Sequence, residues 1–373
     1  MTLMGTRATS ALELSECLFA KPIKSDPEFE STAQRFAKQL REAMDGNQNG
    51  LKCANFLYTR QEFPISDQFR QIVDKYFEAT ARELDFRDAR QSVDTINADI
   101  RSATNDKIDT IVDQISGDIH AILVNAIHFK ALWKSKFPKD MTIADQFATS
   151  AGQEIPVQMM AQLGSRIGFA MSRHLRASAV ELAYEDTNAS LIVLLPDEDN
   201  SVAELVRNLT VQSLQELIHS IRTRIVDLYL PKVNLQTTLS DELIPALKGL
   251  GVRDVFDDKK ADFSGLTPKP GLYISDIIHK AVIEWSEEGT EGAAGTGISA
   301  ATNSIRFTFK ANRPFLYFLV NKSADNLIAI LVTILVRTPR HTPLLLASTR
   351  HSRHYKPNLL PHYSHIIAAN TAQ

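Results

Sequence analysis

The chain has 373 residues, a formal net charge of -3, 44% apolar residues and 23% charged ones. This is the make-up of a packed globule with room for one large domain or two average ones, and it excludes a disordered chain. The small net charge gives no general pull toward nucleic acid or an anionic membrane, and neither is expected as a partner.

The opening, "MTLMGTRATSALELSECLF", lacks a basic flank followed by an apolar core and a cleavage site, so no signal peptide is expected. Two cysteines, Cys17 and Cys53, form no disulfide framework and no metal-site spacing, and they read as buried free thiols. The first third is expected to be helical. Residues 31–47 start on Ser/Thr, place Phe36 and Leu40 on one side and stop at Gly46-Asn47. Residues 66–86 set Phe69, Ile72, Val73, Tyr76 and Phe77 on one helical face, and a third helical pattern runs from Asp94 through Ile96, Ile100 and Ala103.

Strands follow. "HAILVNAIHF" (120–129) is a nearly unbroken apolar run, as a strand covered on both faces requires. "SLIVLLP" (190–196) and "RIVDLYLPKV" (224–233) come next, the latter alternating at Val226, Leu228 and Leu230, and 240–252 reads as a short helix. The last strands are expected within "SIRFTFKANRPFLYFLVN" and "NLIAILVTILV"; the latter, 326–336, is too short to cross a bilayer as a helix. Helices early and strands late, without βαβ alternation, predict an α+β fold with large sheets. Sequons at Asn188, Asn208 and Asn321 point toward a secretory route. Residues 339–373 hold half of the histidines, with His351/His354 and His362/His365 at i,i+3 spacing, but no supporting cysteine or carboxylate. A disordered tail is expected there, with no metal.

The segment "EEGTEGAAGTGISAATNSIRF" (287–307) is the unusual one. Its glycines at 289, 292, 295 and 297 are not followed by Gly-Lys-Ser/Thr, so it is no phosphate loop, and no G-x-S-x-G elbow exists anywhere in the chain. Taken as a strand, one face carries Thr290, Gly292, Ala294, Thr296, Ile298, Ala300 and Thr302, without charge and without bulk beyond Ile298. That face can lie over a core without burying an ion or forcing a clash. The segment is therefore competent both as a strand and as an exposed loop.

Here the sequence resembles the serpin family. The resemblance rests on "HKAVIEWSEEGTEGAAGTG", on "LVNAIHFKALW", "VELAYEDTNASLIVLLPDE", "VDLYLPKVNLQ" and "KKADFSGLTPKPGLYISDIIHKA" upstream, and on "FKANRPFLYFLVNK" downstream. It implies a serpin-like single domain over 1–338 with a central sheet A, sheets B and C, and an exposed reactive-centre loop at 287–306. It implies an inhibitor, not an enzyme. The expected partner is a serine, or alternatively cysteine, endopeptidase held as a covalent acyl complex by a monomeric inhibitor without cofactor. Cleavage frees the loop to insert as a new central strand of sheet A; about 14 residues at roughly 3.3 Å each give a strand near 45 Å.

The same resemblance assigns residues. The hinge is Glu287, Glu288, Gly289, Thr290, Glu291, Gly292, Ala293, Ala294, Gly295 and Thr296, and its small-residue run Gly292-Ala293-Ala294-Gly295 is free of the charge, proline or bulk that commonly breaks that run in non-inhibitory members. Loop length, counted from Gly289 forward and from Phe315 back, puts the reactive bond between Asn303 and Ser304. Asn303 would suit an asparagine-specific cysteine protease, Thr302 or Ala301 an elastase-like pocket, and Arg306 a trypsin-like one. Asn125 and His279 match the family's shutter, and Trp133, Lys232 and Glu287 its breach, where a Lys232–Glu287 ion pair would close the top of the sheet. Lys130, Lys134, Lys136 and Lys139 could suggest heparin binding but read as a solvated edge. An extracellular setting is expected from the family and the sequons; without a signal peptide the cytoplasm stays open.

Two departures stand out. Residues 1–19 resemble the family only from the middle of its second helix, so its first helix, the first strand of sheet B and the shutter serines are expected to be missing. The family's closing aromatic-x-Gly-Arg is replaced by "AILVTILVRTPR". The alternative expectation is therefore a non-inhibitory serpin-like binding protein or an inactive truncated isoform.

Overall fold

The computed structural model describes residues 1–19, 22–23, 28, 31–32, 34–35, 37–38, 51–129, 131–288, 305–323 and 326–335. Most of the helix expected at 31–47, the segment 289–304 and the tail 339–373 lie outside the described residues. The described parts fall into two compact units, one from Met1–Phe129 with Gln236–Val282, the other from Lys130–Leu235 with Ile283 onward.

Helices of the first unit include α1 (Thr2–Gly5), α2 (Ala8–Phe19), α3 (Asp67–Phe77) and α4 (Ala89–Ala103). Ser66 caps α3 by accepting from the Phe69 amide at 3.3 Å, and Asp88 caps α4 by accepting from Gln91 at 3.0 Å. The expectation of one helix across 66–86 fails at Glu78, whose left-handed backbone (φ 48) ends α3. Beyond it Ala79 and Ala81 alternate with exposed residues, so Ala79–Leu84 is a strand, β2. Strand β1 (Leu51–Arg60) also stands where helix was expected.

A five-stranded sheet has the order β2-β1-β3-β10-β9, with β3 at Ala121–Phe129, β9 at Val233–Leu239 and β10 at Asp276–Trp285. β1 runs parallel to β2 and antiparallel to β3, with Asn55 directly opposite Asn125. Period-two alternation splits the strands between two cores. Ala54, Phe56, Tyr58, Ile122, Val124, Ile278 and Val282 pack with Ile96 and Ile100 of α4, while Leu57, Ala79, Ala81 and Ala121 pack with Leu3, Met4, Phe69 and Val73. Both faces are thus covered, as the apolar run at 120–129 requires.

The second unit holds an eight-stranded sheet, β11-β8-β5-β6-β7-β12-β13 with β4 against β5. The strands are β4 (Ile143–Ala148), β5 (Glu154–Ser172), β6 (Ala177–Ala183), β7 (Ala189–Pro196), β8 (Arg222–Pro231), β11 (Arg306–Lys310), β12 (Phe315–Ser323) and β13 (Asn326–Leu335). The 19-residue β5 serves different neighbours along its length; β4 pairs with Glu154–Met159 and β6 with Gly168–Ser172. Every residue of β7 is buried, and α5 (Val202–Asn208) and α6 (Val211–Ser220) cover that part of the sheet through Leu205, Leu214 and Leu217. A further helix, α7 (Leu243–Gly249), lies in the first unit. Residues 326–335 form a strand, and no described helix is long and apolar enough to cross a membrane.

Ile96 is fully buried between α4 and the sheet. Ile96→Ala is expected to cost about 2–5 kcal/mol through lost transfer energy and a residual cavity, read as a lower urea midpoint at unchanged m-value.

Candidate functional site

Two groups of polar side chains are built into these sheets. The first belongs to the second unit, where β10 ends at Trp285 and three carbonyls in succession are captured. Ser286 accepts from the Trp133 indole Nε1 at 2.8 Å, Glu287 from the Phe137 amide at 2.7 Å, and Glu288 from the Trp133 amide at 3.1 Å. The Glu287 side chain is 7% exposed; its Oε1 lies 2.6 Å from Lys232 Nζ and accepts from the Thr142 hydroxyl at 2.6 Å. Burial alone would raise this carboxyl, but the hydrogen bonds from Lys232 and Thr142 outweigh it and hold the group below the usual range. Lys139 forms an ion pair with Glu288. Aromatic rings pack around this anchor. Trp133 stacks on Tyr184 at 4.6 Å, while Trp285 donates Nε1 to the Pro231 carbonyl at 2.9 Å and meets Tyr317 edge-on at 5.1 Å.

The second group belongs to the first unit and crosses three strands of the five-stranded sheet. His279 Nδ1 on β10 donates to Asn125 Oδ1 on β3 at 2.6 Å, and Asn125 Nδ2 donates to Asn55 Oδ1 on β1 at 2.7 Å. Both amides also lie 3.6 Å from Cys53 Sγ. Burial lowers the His279 imidazole to about 4, so the ring is neutral at pH 7, its proton on Nδ1; buried Nε2 has no hydrogen-bond partner. Burial likewise pushes the Cys53 thiol up against the opposing effect of the two amides. The row is a chain of neutral groups.

The structure thus brings Trp133, Lys232 and Glu287 together, and separately Asn125 with His279. Hinge residues from Gly289 to Thr296 and the Asn303–Ser304 bond lie outside the described residues. Thr142 and Tyr184 had no signal in the sequence, and Lys139 only that of the basic run; Asn55 had one, an amide within a segment that is otherwise largely apolar. Of the basic run, Lys139 is engaged by Glu288 and Lys136 lies 4.0 Å from Glu185, while Lys130 is outside the described residues. Arg306 is the first residue of β11, opposite Ile225 on β8 and 3.6 Å from Asp227.

An α+β chain with a five-stranded sheet, a second larger sheet and an anchored exit from β10 has the serpin fold. The chain belongs to the serpin family: residues 1–330 match Serpin (serine protease inhibitor). It is 36% identical to human Serpin B11 over 276 residues, which are 72% of this chain and 70% of the relative, and 34% identical to mouse Serpin B12 over 290 residues, 74% and 68%. Among solved structures it is similar to the thermophilic serpin tengpin in its native state, at 27% identity and a TM-score of 0.75, covering 86% of this chain and 81% of that one. Human thyroxine-binding globulin with thyroxine, at 22% identity and a TM-score of 0.76 over 86% and 84%, shares the fold.

The neutral histidine makes stability depend on pH. An unfolded His279 protonates near 6.5 and the buried one only near 4, so stability is full above pH 6.5 and falls as pH drops toward 4, by up to about 3 kcal/mol. Thermal midpoints measured between about pH 7 and pH 4.5 should show this slope. His279→Gln, which keeps a donor but cannot titrate, should flatten it.

Lys232→Ala removes the cation from the buried Glu287 carboxylate and leaves the Thr142 hydroxyl bonded to it, at a cost of about 1–3 kcal/mol. Because Trp133 and Trp285 are the chain's two tryptophans, fluorescence reports this locus directly. The expected result is an emission shift at lower urea than the far-UV CD transition, where the wild type shows the two together.

Proposed function

We propose that the chain inhibits an endopeptidase as a suicide substrate, by cleavage of the loop after Glu288 and insertion of its N-terminal part between β3 and β10. The observation carrying this reading is the sheet order: β3 and β10 are hydrogen-bonded neighbours in a five-stranded sheet, and β10 runs directly into the anchored residues 286–288. A strand entering there extends β10's own chain, so insertion begins where the chain leaves the sheet. We assign the hinge to residues 287–296, the shutter to Asn125 and His279 with Asn55 added, and the breach to Trp133, Lys232 and Glu287.

The energy balance favours insertion. About 14 residues gaining ladder hydrogen bonds, each worth a net of about 1 kcal/mol, outweigh the glycines at 292, 295 and 297, which cost up to about 1 kcal/mol each. Opening the row at His279–Asn125 offsets part of that gain.

We place the reactive bond at Asn303–Ser304. Arg306 is a poor alternative, because its place in β11 and its ion pair with Asp227 would have to be undone before a trypsin-like pocket could take it. The target is then an asparagine-specific cysteine endopeptidase, or an elastase-like serine enzyme if the cut shifts to Thr302 or Ala301. We infer one inhibitor per endopeptidase, with 1–338 as the working domain. A cytoplasmic and a secreted setting both fit the inhibitor reading. Exposed Asn188 and Asn208 would reveal the secreted alternative as glycan acceptors.

Incubation with asparagine-specific, elastase-like and trypsin-like endopeptidases should give a denaturant-resistant covalent complex with one of the first two. The nicked chain should melt well above the intact one. Cleaved product alone, with unchanged melting, would sink the inhibitor reading and leave a binding protein or an inactive form.

A further inference from the structure

The neutral row at His279 is not the last tie between β3 and β10. Where β10 begins, the Ser275 amide donates to the Ala121 carbonyl at 2.9 Å, and Ser275 Oγ accepts from the His120 amide at 2.9 Å. The step from Ser275 to His279 along β10 matches the step from Ala121 to Asn125 along β3, so both ties belong to one register. Rings close over the lower tie. His120 packs against Tyr273 with centroids 4.6 Å apart and against Phe63 at 5.5 Å, and Lys269 Nζ lies 5.6 Å over the Phe63 ring. His120 Nδ1 donates to the Asp118 carbonyl at 3.1 Å, which fixes the plane of the imidazole.

Residues 273–275 are also held from behind. The Ile274 amide donates to the Val255 carbonyl at 2.9 Å, and the Ile274 side chain is buried. If β3 moves away from β10, this segment stays with Val255, and the ring contact and both Ser275 bonds are what break. Chain lengths bring the end of the proposed insertion to the same spot. Fifteen residues separate Tyr273 from Glu288, and fifteen separate Glu288 from Asn303. A strand that folds back after Glu288 runs antiparallel to β10, so Asn303 comes to rest near Tyr273. The anchor at Glu287 and the row at His279 are passed before that.

We propose that Phe63, His120, Tyr273 and Ser275 form a latch at the far end of the β3–β10 gap, which the inserting strand opens last. The latch sets how many cleavages end in a trapped enzyme and how many in released, cleaved inhibitor. This rests on the inhibitor reading, because only an inserting strand meets the latch. An enzyme acyl-linked to Asn303 and stalled above the latch has not been carried the full length of the sheet, and its link can still be hydrolysed. The His120–Tyr273 contact therefore competes directly with trapping, although neither residue touches the bond that is cut.

The test compares the wild type with Tyr273→Leu, which removes the ring, and Tyr273→Phe, which keeps it. Leu214→Val, in the helical cover of the other sheet, serves as a variant destabilised away from the latch. Each is mixed with active asparagine-specific and elastase-like endopeptidases. The measurements are the loop-cleavage rate at low enzyme, the limiting rate of denaturant-resistant complex formation at saturating enzyme, and the inhibitor consumed per enzyme trapped. Tyr273→Leu should raise the limiting rate about three- to tenfold, the share a ring contact holds in a barrier, with cleavage unchanged. Inhibitor consumption above one per enzyme should fall with it. Tyr273→Phe should behave as the wild type, and Leu214→Val should melt lower without gaining rate. Complex from Tyr273→Leu where the wild type gives only cleaved product is the extreme form of the same effect. Should Tyr273→Leu fail to fold, His120→Leu removes the contact from the other strand and carries the same expectation. Complexes whose limiting rate ignores both substitutions, or rises equally in Leu214→Val, overturn the latch and leave the inhibitor reading intact. Cleaved product alone from every variant overturns the inhibitor reading, and the latch falls with it.

Discussion

Where the chain leaves β10, its backbone and one side chain are fixed by the same short segment, Trp133 to Thr142. Carbonyls 286, 287 and 288 accept from groups of Trp133 and Phe137, and the carboxylate of Glu287 is buried against Lys232 and Thr142. Burying an ion costs several kcal/mol unless its oxygens are paired, so Glu287 is stable only in this one arrangement. Backbone bonds set the position of the exit, and the charge makes the alternatives expensive. Sliding the chain by one residue would place Ser286 or Glu288 in the pocket, with a hydroxyl that cannot pair with Lys232 or with the carboxylate already held by Lys139.

The polar row at His279 works by a different balance. It contains no ion pair: the imidazole is neutral, the amides are neutral, and the Cys53 thiol is held protonated. Its cohesion comes from direction, each donor matched to the next acceptor from His279 to Asn125 to Asn55. Neutral hydrogen bonds in a sheet contribute about 1 kcal/mol each and cost little desolvation to break, whereas separating Lys232 from Glu287 exposes two charges. Under the proposed insertion of another strand, the row is the more easily opened connection and the ion pair the more specific one.

Much of this was legible in the sequence, and the failures have physical causes. The runs at 120–129 and 190–196 could only be buried strands, because no amphipathic helix leaves so few polar positions. β2 was hidden because "EATAREL" satisfies helical and extended periods alike; the left-handed turn at Glu78 decides between them, and no propensity announces it. β1 was hidden because Asn55 and Cys53 interrupt its alternation, and their presence makes sense only beside Asn125. The breach trio came from the family's pattern, but Thr142 lies in an irregular stretch after a 3-10 turn at Lys139–Met141, and nothing local marks it as a ligand of Glu287.

The two roots of the proposed reactive loop are held in unlike ways, and the contrast bears on where an enzyme could cut. At Glu288 the chain is tied by single hydrogen bonds and two ion pairs, all of which can exchange for ladder bonds if the next residues enter the sheet. From Arg306 onward it is tied by a parallel ladder to β8 and by ring packing, Phe307 on Phe169 at 4.8 Å, with Phe309 fully buried. A strand paired along its length is a poor protease substrate, because an extended substrate needs its own backbone groups free to bond the enzyme. If the loop is cut as proposed, the ladder sets the downstream limit of the cleavable segment between Ile305 and Arg306. It also leaves Ile305, free of the ladder and largely exposed, as the first described side chain an enzyme bound to the loop would meet.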